Sequence, residues 1–226
     1  MRTLAVLCAR KGSKRLKDKH WQEINGKPMW AHAFDAARFA KTPLVVSTDD
    51  KKIHDSVADH GVVPILRPSE LAQDITPIHL VLQHAVNQYA SLSGAVAFIP
   101  ACIPTVTEKL IMQCIRKLER SPKLDSVITV RTVRDHPAWM YADCGGPSLV
   151  RANKDAPFYR MQDLPPLVTA SGSVCVVRTP VLMACRTSYF HAWLGKDIGY
   201  VMDEDAVEVH DARDLLIARA VMGERK

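Results

Sequence analysis

The chain has 226 residues, 47% hydrophobic and 24% charged, a length that predicts one large domain at about 150 residues per domain and a composition that excludes general disorder. Thirty Lys and Arg against 24 Asp and Glu leave a net charge of +6, which favours an anionic ligand without naming its class. The longest nearly apolar stretch, 94–106, is broken by Pro100 and Pro104 and falls short of the roughly 18 residues of a membrane helix.

In chain order, residues 4–8 (LAVLC) form an apolar run that reads as a buried strand, and Gly12 with Ser13 marks the loop behind it. Residues 29–40 carry Met, Ala and Phe at helical spacing behind Pro28 and predict a helix. A strand at 44–47, a helix at 51–60, a strand at 62–66, a helix at 78–90 and a strand at 95–99 follow. Thr105 and Glu108 have capping-box spacing ahead of a helix reaching Glu119, and 126–130 makes a fifth strand. This alternation predicts a mainly parallel sheet covered on both faces by helices. Between about 132 and 166 the rhythm fails, and seven Pro and Gly residues gather among Trp139, Tyr141, Phe158 and Tyr159, which predicts an inserted arm or hairpins. The pattern resumes with a strand at 173–177, a helix at 181–186, an extended stretch at 206–209 and a closing helix at 212–222.

The six cysteines are scattered, with no CxxC pair, which predicts free thiols, a cytoplasmic setting and no zinc site. No signal peptide is expected, because the first hydrophobic run lacks a small-residue cleavage pattern. Chemistry is concentrated at residues 10–19, RKGSKRLKDK, with six basic residues and one acid. Ligands of open α/β sheets bind outside the carboxyl ends of strands, and the loop stands at such an end. Gly12 and Ser13 let the backbone approach, and Arg10, Lys14, Arg15 and Lys19 supply cations suited to a triphosphate. A solvated basic loop or a nucleic-acid patch reads the same charges differently; with 6% aromatics the interleaving that a nucleic-acid module uses is absent, and no nucleic-acid partner is expected. Neither GxxxxGK[ST] nor GxGxxG occurs. Cys102, between two prolines, reads as a buried thiol.

The opening LCARKGSKRLKDKHWQEINGKPM resembles the signature of the acylneuraminate cytidylyltransferases, the CMP-sialic acid synthetases and their relatives, which read ARxGSKRxxxKN followed by GKP. The resemblance continues through VVSTDD at 45–50, LRPSELAQD at 66–74 and RMQDLP at 160–165. It implies an α/β fold of the nucleotide-diphospho-sugar transferase type over 1–226, with an inserted dimerisation arm at about 132–166 and hence a homodimer. It also implies a reaction in which a nine-carbon, nonulosonic sugar acid attacks the α-phosphate of CTP and pyrophosphate leaves with help from Mg2+. Cations around the phosphoryl oxygens suit that chemistry. Arg10 and Lys19 match catalytic positions; Arg10, Gly12, Ser13, Lys14, Lys19 and Arg67 match nucleotide positions; Arg160, Gln162 and Ser171 match the stretch near the sugar acid. Asp49 and Asp74 read equally as turn residues or ligand contacts. The related KDO cytidylyltransferases carry GTER where this chain has RPSELAQD, which favours the sialic-acid branch.

Three departures accompany the resemblance. The family's magnesium pair, a DxD near the C-terminus, falls on Glu208 and His210, and imidazole is a poor partner for Mg2+; either Asp203, Asp205 or Asp211 supplies a replacement oxygen beside Glu208, or the Glu–His pair suits Mn2+. LLQPTSPLR is replaced by FIPACIPTV at 98–106, with Pro100 for the glutamine and Val106 for the arginine. NGAIY becomes SGSVC at 171–175, with Ser171 for the asparagine. Together they imply altered substrate choice, or a non-catalytic homologue that binds a nucleotide or sugar.

Overall fold

The computed structural model describes residues 1–89, 93–152, 160–189 and 191–224. Strand β1 (Thr3–Ala9) leads through the basic loop to a two-residue pair, β2 (Glu23–Ile24) and β3 (Lys27–Pro28), and then α1 (Met29–Phe39). Next come β4 (Leu44–Thr48), α2 (Lys51–Val57), β5 (Val63–Leu66), α3 (Ile78–Tyr89), β6 (Ala95–Pro100), α4 (Glu108–Arg120) and β7 (Ser126–Thr132). A hairpin of β8 (Tyr141–Asp143) and β9 (Leu149–Arg151) precedes β10 (Val168–Arg178), α5 (Thr179–Ala184), β11 (Ile198–Met202) and α6 (Ala212–Glu224).

Seven strands form one sheet in the order β11-β7-β10-β6-β1-β4-β5. Every neighbouring pair is parallel except those of β10, which runs antiparallel to β6 and β7. Alternation along a strand sends neighbours to opposite faces. On β1, Ala5, Leu7 and Ala9 pack with Trp30 and Phe34 of α1 and Ile111 of α4, while Leu4 and Val6 pack with Leu82 of α3, Leu182 of α5 and Trp193 on the other face. Both faces are therefore buried, which is why the strand reads as a continuous apolar run.

The structure corrects several boundaries. The helix expected to reach His60 stops at Val57 and tightens into a 3-10 turn over Ala58–His60, closed by Gly61 at φ 69°. Thr107, not Thr105, caps α4, its hydroxyl accepting from the Leu110 N–H at 3.2 Å. The strand expected at 173–177 is longer, starting at Val168, with a bulge between Ala170 and Cys175 that holds Gly172 at φ 80°. The helix expected at 181–186 is α5, shifted to Thr179–Ala184. The stretch 206–209 joins no sheet among the described residues; the edge strand is β11, which the sequence reading missed. In the insert, the hairpin leaves Tyr141, Leu149 and Val150 exposed; Phe158 and Tyr159 lie outside the described residues. No helix among the described residues is long and apolar enough to cross a membrane.

Candidate functional site

The carboxyl ends of β1, β5 and β6 open onto a cavity of about 510 Å3 that is bordered by Cys8, Arg67 and Pro100. The loop after β1 supplies its other wall. Gly12 adopts φ 80°, open to glycine without strain, and Lys11 N–H donates to the Asp49 carboxylate at 2.7 Å, tying the loop to the residue after β4. A 3-10 turn over Lys19–Trp21 follows, anchored where the Trp21 indole donates to Asp50 at 2.9 Å; Asp50 also caps α2. Asp49 and Asp50 are thus scaffold residues of the loop.

Arg10, Ser13, Lys14, Arg15, Lys19 and Arg67 all line this cavity. Arg10 and Lys14 converge on the carboxylate of Asp74, Lys14 at 2.6 Å, and the Lys14 hydrogen bond holds that carboxyl below its ordinary range, aided by Arg10. Asp74, read from sequence as a turn residue or a ligand contact, is the anion that the loop's cations grip in the free protein. Arg67 is 6% exposed; its Nε donates to Ser47 Oγ at 3.3 Å and Nη2 to the Ser47 carbonyl at 3.0 Å. Among the described residues it pairs with no carboxylate, so its charge is left for the cavity. Burial pushes the Cys8 and Cys102 thiols up to about 11, which keeps both protonated at neutral pH and removes Cys102 as a nucleophile.

A second cavity, of about 860 Å3, lies between the end of β7, the start of β10, the segment after β11 and α6. Its polar lining includes Arg131, Arg134, Thr169, Ser171, Glu204 and Asp205. Glu204 is held by Thr132, whose hydroxyl donates at 2.6 Å and draws the carboxyl down from its ordinary value, with the backbone N–H and two arginines adding to the effect. Ser171 Oγ donates to Asp203 at 3.1 Å. Arg131 donates to the Ala206 carbonyl at 3.3 Å, whereas Arg134 forms no ion pair among the described residues.

Glu208 and His210 line both cavities and so form the wall between them. They are placed there by the stretch at 206–209: Val209 N–H donates to the Cys102 carbonyl at 2.9 Å and Val207 N–H to Thr105 Oγ1 at 3.1 Å, which stitches residues 207–209 across the loop after β6. Arg15 Nη2 lies 2.9 Å from His210 Nδ1. A guanidinium only donates, so Nδ1 accepts and Nε2 carries the ring proton, facing Glu208 Oε2 at 3.3 Å. Both ring nitrogens are engaged, a guanidinium adjoins them, and the nearby Asp214 and Asp211 carboxylates accept backbone N–H groups at the start of α6. This donor set does not fit a divalent cation. Among the described residues no group of three metal-ligating side chains occurs.

The expected sugar-side residues are divided. Ser171 lines the larger cavity, but Arg160 and Gln162 border neither; Arg160 is bound to Asp163 through two hydrogen bonds of 2.8 and 3.0 Å. The sequence reading missed His20, a buried residue of the basic cavity, and Arg134. For His20 the signal was present in the resembled signature, which reads KN where this chain reads KH.

A family model described as cytidylyltransferase matches residues 4–179. The chain belongs to the cytidylyltransferase family. The match contains the basic loop, Arg67 and Asp74, and ends before Glu208 and His210. The chain is 28% identical over 183 residues to an N-acylneuraminate cytidylyltransferase of Streptococcus agalactiae serotype V, covering 78% of this chain but 43% of that relative; it therefore spans less than half the relative's length. It is 29% identical over 197 residues to a CMP-N,N'-diacetyllegionaminic acid synthase of Legionella pneumophila, covering 84% and 83% of the two chains. A 3-deoxy-manno-octulosonate cytidylyltransferase of Brucella ovis is 32% identical over 142 residues, 61% of this chain and 56% of that one. In fold, the chain resembles the structure of CMP:2-keto-3-deoxy-manno-octonic acid synthetase complexed with CTP, with a TM-score of 0.75 at 17% identity over the whole of both chains. It also resembles 4-diphosphocytidyl-2C-methyl-D-erythritol synthase from Anaerococcus prevotii, with a TM-score of 0.69 at 13% identity over 98% of this chain and 96% of that one.

Proposed function

We propose that this chain transfers a cytidylyl group from CTP to a hydroxyl of an acidic sugar of the nonulosonic class, releasing pyrophosphate. The observation that carries the reading is the pair of adjoining cavities, one lined by cations and one larger and mixed, meeting at Glu208 and His210. The triphosphate occupies the basic cavity and the sugar the larger one, so the α-phosphorus faces the shared wall. The sugar hydroxyl gives up its proton to solvent as its oxygen bonds to that phosphorus, the bridge to the β-phosphate breaks, and the electron pair leaves with pyrophosphate into the field of Arg10, Lys14 and Lys19. Fixed cations at the developing charge stabilise such a step. Arg10 and Lys14 exchange the Asp74 carboxylate for phosphate oxygens on the way in. Arg67 contributes its unpaired guanidinium to the nucleotide, and Arg134 meets the sugar carboxylate, for which a planar fork is suited.

The nonulosonic class is favoured by the longer coverage of the neuraminate and legionaminate relatives compared with the octulosonate one. The exposed apolar residues of the β8–β9 hairpin support a homodimer joined through the insert, and the six unpaired cysteines support a reducing, cytoplasmic setting. The test is release of pyrophosphate from CTP in the presence of N-acetylneuraminic, legionaminic and 3-deoxy-octulosonic acids, with light scattering for the oligomer. Release with a nonulosonic acid supports the reading. A thermal shift with CTP but no pyrophosphate from any of the acids refutes transfer and leaves a nucleotide-binding homologue.

A further inference from the structure

We propose that His20 is a phosphate-binding residue of the basic cavity that engages the triphosphate as an imidazolium, so that nucleotide binding draws in a proton. His20 sits on the 3-10 turn beside Lys19, lines the cavity and is 7% exposed. Nδ1 is buried without a hydrogen-bond partner, and the Arg10 backbone beside the ring favours its protonated form. A neutral imidazole keeps a lone pair on one of its two nitrogens. An unpaired buried acceptor costs free energy, and it stands among the cations that hold the phosphates.

Phosphate oxygens only accept in their ionised form. A lone pair set against them repels, whereas an N–H donates a charge-assisted hydrogen bond. The charged groups acting on the ring are Lys19 on its own turn, Asp50 at the start of α2 and Arg10 at the end of β1. In the free protein, burial first and then Lys19 lower the ring to about 4, against a smaller opposing effect of Asp50; the imidazole is neutral at pH 7. A triphosphate replaces a positive surrounding by a strongly negative one and offers Nδ1 an acceptor, and both changes favour the charged form. The bound ring therefore titrates above the free one. By linkage, affinity then strengthens as pH falls through the bound-state value and levels off near the free-state value.

This inference rests on the reading of the cavity as a triphosphate site, and the test separates the two. CTP is titrated calorimetrically into the wild type and into His20→Asn in buffers of different ionisation enthalpy, from pH about 8 to about 5.5. The titration of the nucleotide itself is common to both proteins. The wild type is expected to take up more protons than the variant, and its affinity relative to the variant to rise on acidification by up to about tenfold per pH unit. Equal uptake with a flat ratio overturns the proposal. An independent measurement uses the wild type alone: in imidazole 15N spectra, inorganic tripolyphosphate should bring both His20 nitrogens to the protonated position. Saturation with Nδ1 still an acceptor overturns it as well. If neither CTP nor tripolyphosphate binds at all, the triphosphate reading of the cavity is what has failed.

Discussion

Replacing Arg67 by Met separates what this side chain does for folding from what it does for the ligand. The guanidinium is 6% exposed, held by one serine, and without a carboxylate partner among the described residues. Substituting a buried charge by an apolar chain of similar volume gains about 1–4 kcal/mol, and leaving the Ser47 carbonyl short of a donor costs about 1–3 kcal/mol. The balance puts the variant between about 2 kcal/mol less stable and about 3 kcal/mol more stable than the wild type. For a domain of this size, at about 2–4 °C per kcal/mol, it melts between about 8 °C below and about 12 °C above the wild type. Affinity falls. A hydrogen bond from a charged donor to the nucleotide is worth about 1.5–3 kcal/mol, so the dissociation constant for CTP rises about 10- to 150-fold. Differential scanning calorimetry of the free protein and calorimetric titration with CTP read the two quantities separately. A variant that melts well below the wild type yet binds CTP normally would falsify the assignment, since Arg67 would then be a structural residue.

Lys19→Ala removes a cation from the turn beside His20 and is expected to weaken CTP binding about 10- to 150-fold; an unchanged dissociation constant counts against the loop as the triphosphate site. Arg134→Gln should raise the KM for the sugar acid while leaving CTP affinity intact, and a loss of CTP binding instead would show that the two cavities are assigned the wrong way round. His210→Asp replaces an imidazole whose two nitrogens are engaged by Arg15 and Glu208 with a second carboxylate beside Glu208. Paramagnetic resonance of Mn2+ should then show binding to the nucleotide-free variant that exceeds binding to the wild type; equal binding refutes the fit argument. Asp125 accepts N–H donors from Lys196 and Asp197, which hold its carboxyl below the ordinary value. Its contribution to stability is present above the unfolded-state value and is lost as pH falls through the lower folded-state one. Asp125→Asn should therefore lower the melting temperature at pH 7 and flatten its decline in acid, and an identical acid decline would rule this out.

What could be read from the sequence, and what could not, follows from which interactions are local. Strand β1 is legible because both its faces are buried, so every residue from Leu4 to Leu7 is apolar. Strand β11 was missed because it is an edge strand with exposed Ile198, Tyr200 and Met202, interrupted by a glycine that reads as a loop. That glycine has a tertiary cause: a Cβ at Gly199 would meet Leu124 at 2.5 Å, a contact between segments that no local pattern reveals. The stretch 206–209 shows the converse case. Its alternation of Ala206, Val207, Glu208 and Val209 imitates a strand, but its N–H groups go to a hydroxyl and a carbonyl of the loop after β6, and the same alternation sends Val209 into the core and Glu208 to the cavity wall. The basic loop announced itself through charge density within ten residues. The wall between the cavities did not, because Arg15 and His210 are 195 positions apart and each alone is an ordinary surface residue. Their contact turns a pair that resembled a metal site into a hydrogen-bonded chain from guanidinium to imidazole to carboxylate. A ligand set is defined by which lone pairs remain free after folding, and residue identity at matched positions does not report that.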